Sequence, residues 1–284
     1  MTSSMQHKGA VTAGLSGAIW GNLPIKNWAM RLGGQFRMLD GNGLAMQDSG
    51  AAWADDTANL GFKTIQTSGS TVTVASDVTK SHNAACLKLL TDGTDGDDCS
   101  FQTELPVINI AKGAGRWAFE ARVKPSSIAD TISSLYVGLT SATLAANSTL
   151  SSHDIADVSA VGFFIDEADG DDLRGVVSDA SGSAGIANQN VTTAEKFLLK
   201  NVDFYNIGAV YDGLRIKLYV TGNKSTDDAG DDKTFLLHEV GEGGSQFPST
   251  TDTDMYFFLG VEGKATGSNL LVEWFAYGQE FIDF

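Results

Sequence analysis

The chain has 284 residues, with 35 acidic against 19 basic side chains and a formal net charge of −16. That balance excludes nucleic acid and anionic membranes as partners, because a phosphate surface must be met by a basic patch and none is present. No uninterrupted apolar stretch reaches the roughly 20 residues that cross a bilayer as a helix, and a chain of this length fits one large all-β domain or two small ones.

Residues 1–50 differ from the rest of the chain. They carry Lys8, Lys26, Arg31 and Arg37 and short apolar pieces without sustained alternation, including AVTAGLSGAIW at 10–20. That run is glycine-rich and short, and no small-x-small cleavage site comes after it before Asn22 and Pro24, so secretion is not expected. The segment reads as an arm that either folds against the body or lies along a partner subunit. QFRML at 35–39 is the alternative, a first strand.

From residue 51 strands succeed one another at intervals of about ten residues: 60–67, 71–76, 84–91, 100–105, 115–124, 135–140, 160–166, 173–179, 214–221, 234–240, 255–261 and 269–278. In GRWAFEARVK at 115–124, Trp117, Phe119, Ala121 and Val123 share one face, and Arg116, Glu120, Arg122 and Lys124 share the other. In LRIKLYVTG at 214–222, Leu214, Ile216, Leu218 and Val220 oppose Arg215, Lys217 and Thr221. Each sheet is expected to bury one face and wet the other, so two sheets must cover each other. The fold class is all-β: a two-sheet antiparallel jelly-roll sandwich over 51–284 with an extended N-terminal arm over 1–50. Helix is confined to single turns near 152–157 and 193–198.

Cys86 and Cys99 flank TDGTDGDD at 91–98. A hairpin closing near Asp95 would set Cys99 opposite Thr91 and Cys86 opposite Glu104, so the two read as small core hydrophobes rather than a disulfide, which suits assembly in a reducing cytoplasm.

The order GRWAFEARVK, LYVGLTS, AVGFFIDEADG, YDGLRIKLYVTGN and YFFLGVEGKATGSNLLVEWFAYG resembles the concanavalin A-like (laminin-G-like) jelly roll of bacteriophage virion proteins. The resemblance covers about 115–278. It implies a virion structural role, as a capsid-decoration or head-fibre subunit assembled in the host cytoplasm, with residues 1–50 attaching it to the major capsid protein. Ile19, Trp20, Leu23 and Trp28 are then the partner-binding residues. A homo-oligomer is expected, a trimer being one form open to a spike or to a subunit at a local three-fold position. The alternatives are a tail-fibre module that binds a host surface glycan, and a degenerate polysaccharide lyase or glucanase.

Three acidic clusters sit in expected loops: Asp92, Asp95, Asp97 and Asp98; Asp166, Glu167, Asp169, Asp171 and Asp172; and Asp227, Asp228, Asp231 and Asp232. They are either solvated turns, which Asp and Gly favour, or hold calcium, whose demand for six to eight oxygens would relieve the mutual repulsion. The calcium candidates are Asp92, Asp95, Asp97, Asp166, Asp169 and Asp171; DEADGDD does not keep the EF-hand spacing.

No catalytic residue is expected. The glucanase pattern of carboxylates at E-x-D-x-x-E fails at FFIDEAD, where Phe164 takes the first position. FQTELP at 101–106 and YFFLGVEG at 256–263 resemble alginate-lyase motifs, but Gln102 and Pro106 stand where arginines should be and no base lies between. His7, His82, His153 and His238 are too scattered for a metal triad, and no G-x-S-x-G elbow occurs. Of the tryptophans, Trp117 and Trp274 read as core, and Trp53 as the one to suspect of exposure.

Overall fold

The computed structural model describes residues 16–20, 28–31, 58–59, 62–67, 69–76, 85–94, 96–111, 113–125, 133–142, 158–165, 172–179, 197–198, 204–222, 233–244, 247–248, 253–263 and 269–280. One sheet contains β1 (Trp28–Arg31), β4 (Thr71–Ser76), β5 (Ala85–Leu90), β8 (Trp117–Pro125), β13 (Tyr205–Tyr211), β14 (Arg215–Gly222), β15 (Lys233–Gly241) and β17 (Asn269–Glu280). Its order is β15-β14-β13-β8-β17-β5-β4, with β1 also paired to β17. The other contains β2 (Ala58–Asn59), β3 (Phe62–Gln66), β6 (Asp97–Thr103), β7 (Ile108–Asn109), β9 (Ser133–Thr140), β10 (Ala160–Ile165), β11 (Asp172–Ser178), β12 (Phe197–Leu198) and β16 (Asp254–Gly263). It runs β12-β11-β10-β9-β16-β6-β3-β2, with β7 paired to β16. The ladders of β16 with β6 and of β17 with β8 are antiparallel, as are the other strand pairs among the described residues, and the whole is a jelly-roll sandwich.

The inward residues of both sheets make one core. Phe275 stacks on Phe257 with ring centroids 4.9 Å apart and meets Phe62 and Phe101 edge-on at 5.7 and 5.9 Å. Trp117, Phe119, Ala121 and Val123 enter the same core from β8, as their alternation requires. β17 keeps Leu270 and Val272 inside, but its register shifts between Val272 and Trp274, so Phe275 and Tyr277 take over the inward positions. The shift puts Trp274 opposite Arg122, buried but on the outer face, and not in the interior cluster.

Several expectations need correction. Cys86 and Cys99 do not flank a hairpin: β5 pairs with β4 and β17 in one sheet, and β6 pairs with β3 and β16 in the other, so 91–96 is a crossover between layers. Both side chains are buried and neither is in a disulfide, as small core hydrophobes should be. Leu214 is 70% exposed rather than inward. Asp212 Oδ1 accepts from the Leu214 and Arg215 N–H groups and Gly213 takes φ 99°, so Leu214 belongs to the turn and the alternation begins at Ile216. Phe197–Leu198 is a strand paired to β11, not the end of a helical turn.

Tyr205–Tyr211, sequence YNIGAVY, is a central strand that alternation does not predict. Both its faces are buried, so it shows no polar beat. The expected turn at 152–157 and the strand at 35–39 lie outside the described residues.

The arm is in part tied to the body. Trp28–Arg31 adds to the edge of β17, and Gly17–Trp20 forms a short helix, α1, against the outer face of the β8 sheet.

Candidate functional site

Strand direction decides which loops share an end of the sandwich. β5, β10 and β14 all run toward the end where Gly263, Ser133 and Pro125 also lie. The residues flanking the three acidic clusters are therefore collected there: Leu90 and Asp97, Ile165 and Asp172, Gly222 and Lys233. Nothing in the spacing of the clusters along the chain foretells this; it is a product of the two-layer topology.

Of the calcium candidates, Asp92 and Asp97 are described; Asp95, Asp166, Asp169 and Asp171 lie outside the described residues. Asp92 opens a tight turn in which its Oδ1 accepts the Thr94 N–H at 2.8 Å, with Gly93 and Gly96 in left-handed conformations at φ 99° and 83°. The turn is fastened to the next one. Thr67 Oγ1 accepts the Asp98 N–H at 2.7 Å, Ser70 N–H donates to the Thr67 carbonyl at 3.0 Å, and Gly96 N–H reaches the Gly263 carbonyl at 3.2 Å. Gly69 lies so close to Asp92 that a Cβ there would stand 2.8 Å from the Asp92 Cβ.

The carboxyl groups of Asp92 and Asp97 act on each other's titration across this turn. That interaction, with the Thr94 N–H, holds Asp92 below the usual carboxylate range, and the same interaction pushes Asp97 above it. Next to the pair, Asp98 and Glu262 face each other in register across β6 and β16, both buried. Among the described residues no group of three His, Cys, Asp or Glu side chains is arranged to hold a metal ion.

The partner-binding candidates stand elsewhere. Ile19 and Trp20 are 2% and 5% exposed, packed with Ala118, Val210 and Ala276 on the outer face of their own sheet. A partner would have to displace the segment to reach them. Trp28 is placed in β1 by its backbone pairing to Glu280, and Leu23 lies outside the described residues, as does Trp53.

Alternation misplaces one residue on that face. Glu120 reads as a solvent-facing position of β8, yet it is fully buried under α1. Its carboxylate accepts from Ser16 N–H at 3.1 and 3.0 Å, Ser16 Oγ at 2.5 Å, Trp20 Nε1 at 2.8 Å and Asn206 Nδ2 at 3.2 Å. Burial pushes its carboxyl above the usual range, against the pull of those donors.

His238 sits opposite Leu218, half-buried beside Gly175, where burial holds its imidazole below the ordinary value. No helix among the described residues is long and apolar enough to cross a membrane.

No protein-family model matches the sequence, and no curated protein matches it. Solved structures do match in fold. A protein of unknown function, SO2946 from Shewanella oneidensis MR-1, is 12% identical, with 89% of this chain and 86% of that chain covered and a TM-score of 0.51. The VIP36 exoplasmic/lumenal domain in its Ca2+/Man3GlcNAc-bound form is 12% identical, with 80% and 87% covered and a TM-score of 0.48. Peanut lectin is 12% identical, with 82% and 99% covered and a TM-score of 0.46. The likeness is one of fold: this chain is a two-sheet jelly-roll sandwich.

Proposed function

We propose that this chain is a non-enzymatic binding module that takes glycans at the sandwich end bearing Asp92 and Asp97, with calcium as the ion that those carboxylates would help to hold. The observation that carries the reading is the Asp92–Asp97 pair, fixed on a turn tied to its neighbours through Thr67, Ser70 and Gly263. Carboxylates held this way accept hydrogen bonds from sugar hydroxyls, and a hard cation between them relieves their repulsion while offering positions to further oxygens. The strands that flank the other two acidic clusters open at the same end.

The test is a glycan array probed with the whole chain in calcium and again in chelator. Binding to a defined glycan, weakened at least tenfold by the pair of substitutions Asp92→Asn and Asp97→Asn, is the expected result. No binding in calcium, or binding that the double variant leaves unchanged, refutes the reading.

The virion role implied by the strand motifs is compatible with such a module. The quoted motifs fall on β8, β9, β10, β14, β16 and β17, interior strands of the two sheets. Electron microscopy of particles carrying the tagged chain tests it, and absence from head and tail alike would refute it.

A further inference from the structure

The contact between α1 and the outer face of the β8 sheet is a polar lock inside an apolar seat. The floor is made of small residues: Ala118 on β8, Gly208 on β13 and Ala276 on β17. Ile19 rests over Gly208, where a Cβ would come within 2.7 Å of its Cδ1. Glu120 lies at the centre of the seat and binds both ends of the turn at once, through the Ser16 backbone and hydroxyl and through the Trp20 indole.

We propose that Ser16–Trp20 is a reversibly docked strap, fastened to this seat by the single carboxyl group of Glu120 and loosened or tightened as that group loses or gains its proton. Two features of the geometry support a change of protonation without loss of the seat. First, the donors to Glu120 come from the strap and from Asn206, not from a cation: Arg122 spends its guanidinium on Glu273 at 2.7 Å and on Asn206 Oδ1 at 2.8 Å. With the strap away, Glu120 is a surface residue that water can solvate.

Second, the Ser16 hydroxyl begins a chain that can reverse. Ser16 Oγ lies 3.2 Å from Thr221 Oγ1, which lies 2.8 Å from Thr234 Oγ1 at the exposed edge of the sheet. With Glu120 ionised, Ser16 donates to it and accepts from Thr221. With Glu120 protonated, the carboxyl donates to Ser16, which donates to Thr221 in turn, so every hydroxyl proton keeps an acceptor.

Of the charged or titratable groups on this face among the described residues, those nearest Glu120 are Arg122 and Lys124 of β8, Glu273 of β17, and Lys217 and Tyr219 of β14; Lys88, Arg116, Arg215, Glu239 and Glu280 lie farther along it. Arg122 pairs with Glu273, Lys217 pairs with Asp212 at 2.7 Å, and Lys124 lies over the Phe204 ring at 5.6 Å. The described residues of α1 and the outward residues of β13, Asn206, Gly208 and Val210, carry no titratable side chain. Because burial raises the Glu120 carboxyl, the docked state holds a proton more tightly than the undocked one. Docking is therefore strongest below the ordinary carboxylate pKa and weakens as pH rises through the raised value.

Hydrogen exchange read by mass spectrometry on the full chain tests this, with protection of 16–20 normalised for intrinsic exchange across pH 5 to 9 and compared with peptides from β8, β13 and β17. The expected result is a several-fold loss of strap protection as pH rises, with the strands unchanged, and a flat profile in Glu120→Gln. Ser16→Ala with Trp20→Phe approaches the lock from the strap side, and is expected to speed exchange of 16–20 at least tenfold while leaving the strands protected. A flat wild-type profile, an unchanged strap in the double variant, or strap and strands losing protection together would each overturn the proposal.

Discussion

Replacing Gly138 by alanine places one methyl group where β9 and β10 come closest. Gly138 faces Gly162 on β10 and Phe258 on β16 in register. The new Cβ would press into the Val161 carbonyl oxygen and stand 2.5 Å from Gly162 Cα and 2.8 Å from the Tyr136 hydroxyl. Carbon atoms pack at about 3.5–4.0 Å, so the strands must part by about 1 Å or the tyrosine must leave. Tyr136 is held: its hydroxyl donates to the Leu139 carbonyl at 2.8 Å and its ring packs on Phe258 with centroids 5.9 Å apart. Overpacking against fixed backbone costs about 3 kcal/mol, the upper part of the usual range.

Gly241→Ala makes the same chemical change on β15 where nothing lies within 4 Å. It should stabilise by about 0.5 kcal/mol, since alanine loses less backbone entropy on folding. Urea unfolding followed by tryptophan fluorescence separates the two. With a slope of about 3 kcal/mol/M, the first variant loses about 1 M in midpoint and the second gains slightly. A Gly138→Ala midpoint equal to wild type, or to that of Gly241→Ala, would refute the close approach of β9 and β10 and the reason given for glycine there.

The core, the thiols and the acidic turn carry further expected outcomes. Phe275→Ala, at the meeting of Phe62, Phe101 and Phe257, should cost about 4 kcal/mol in the same assay, whereas Leu105→Ala, 70% exposed, should stay within about 0.5 kcal/mol. Cys99 is buried with its thiol pushed far up by desolvation, so a thiol reagent should label it only after unfolding; rapid labelling of the native chain would contradict its place between the sheets. Of the Asp92–Asp97 pair, Asp92 is held below the usual carboxylate range and Asp97 is pushed above it. The raised Asp97 carboxyl contributes stability below the ordinary carboxylate pKa that is lost as pH rises through its own, so Asp97→Asn should raise the thermal midpoint near neutrality, with the difference closing in acid. Calcium added to the stripped wild type should raise the midpoint as well, and no shift at millimolar calcium would remove the ion from the proposed site.

How much of this is legible in the residues depends on whether one face of each strand stays wet. β8 and β14 announce themselves because Arg122 and Lys124, or Arg215 and Lys217, break the apolar run at every second position. β13 is buried on both faces between β8 and β14, and under α1, so YNIGAVY has no polar beat to read. Glu120 reads as solvent-facing for the same reason in reverse: period two places a residue on a face, and cannot say that a short segment from far earlier in the chain will cover that face.

The sequence by itself determined the all-β class, the positions of most strands and the interior places of Trp117 and Phe119, since each is a local matter of alternation, volume or composition. The tertiary structure alone decided that β5 and β6 belong to different layers, that a register shift at Val272 turns Trp274 outward and Phe275 inward, that three distant acidic clusters are flanked by strands ending at one pole, and that Glu120 meets Ser16 and Trp20. Those facts depend on which strand lies beside which, and strand pairing is settled by the joint burial of two sheets rather than by any one segment.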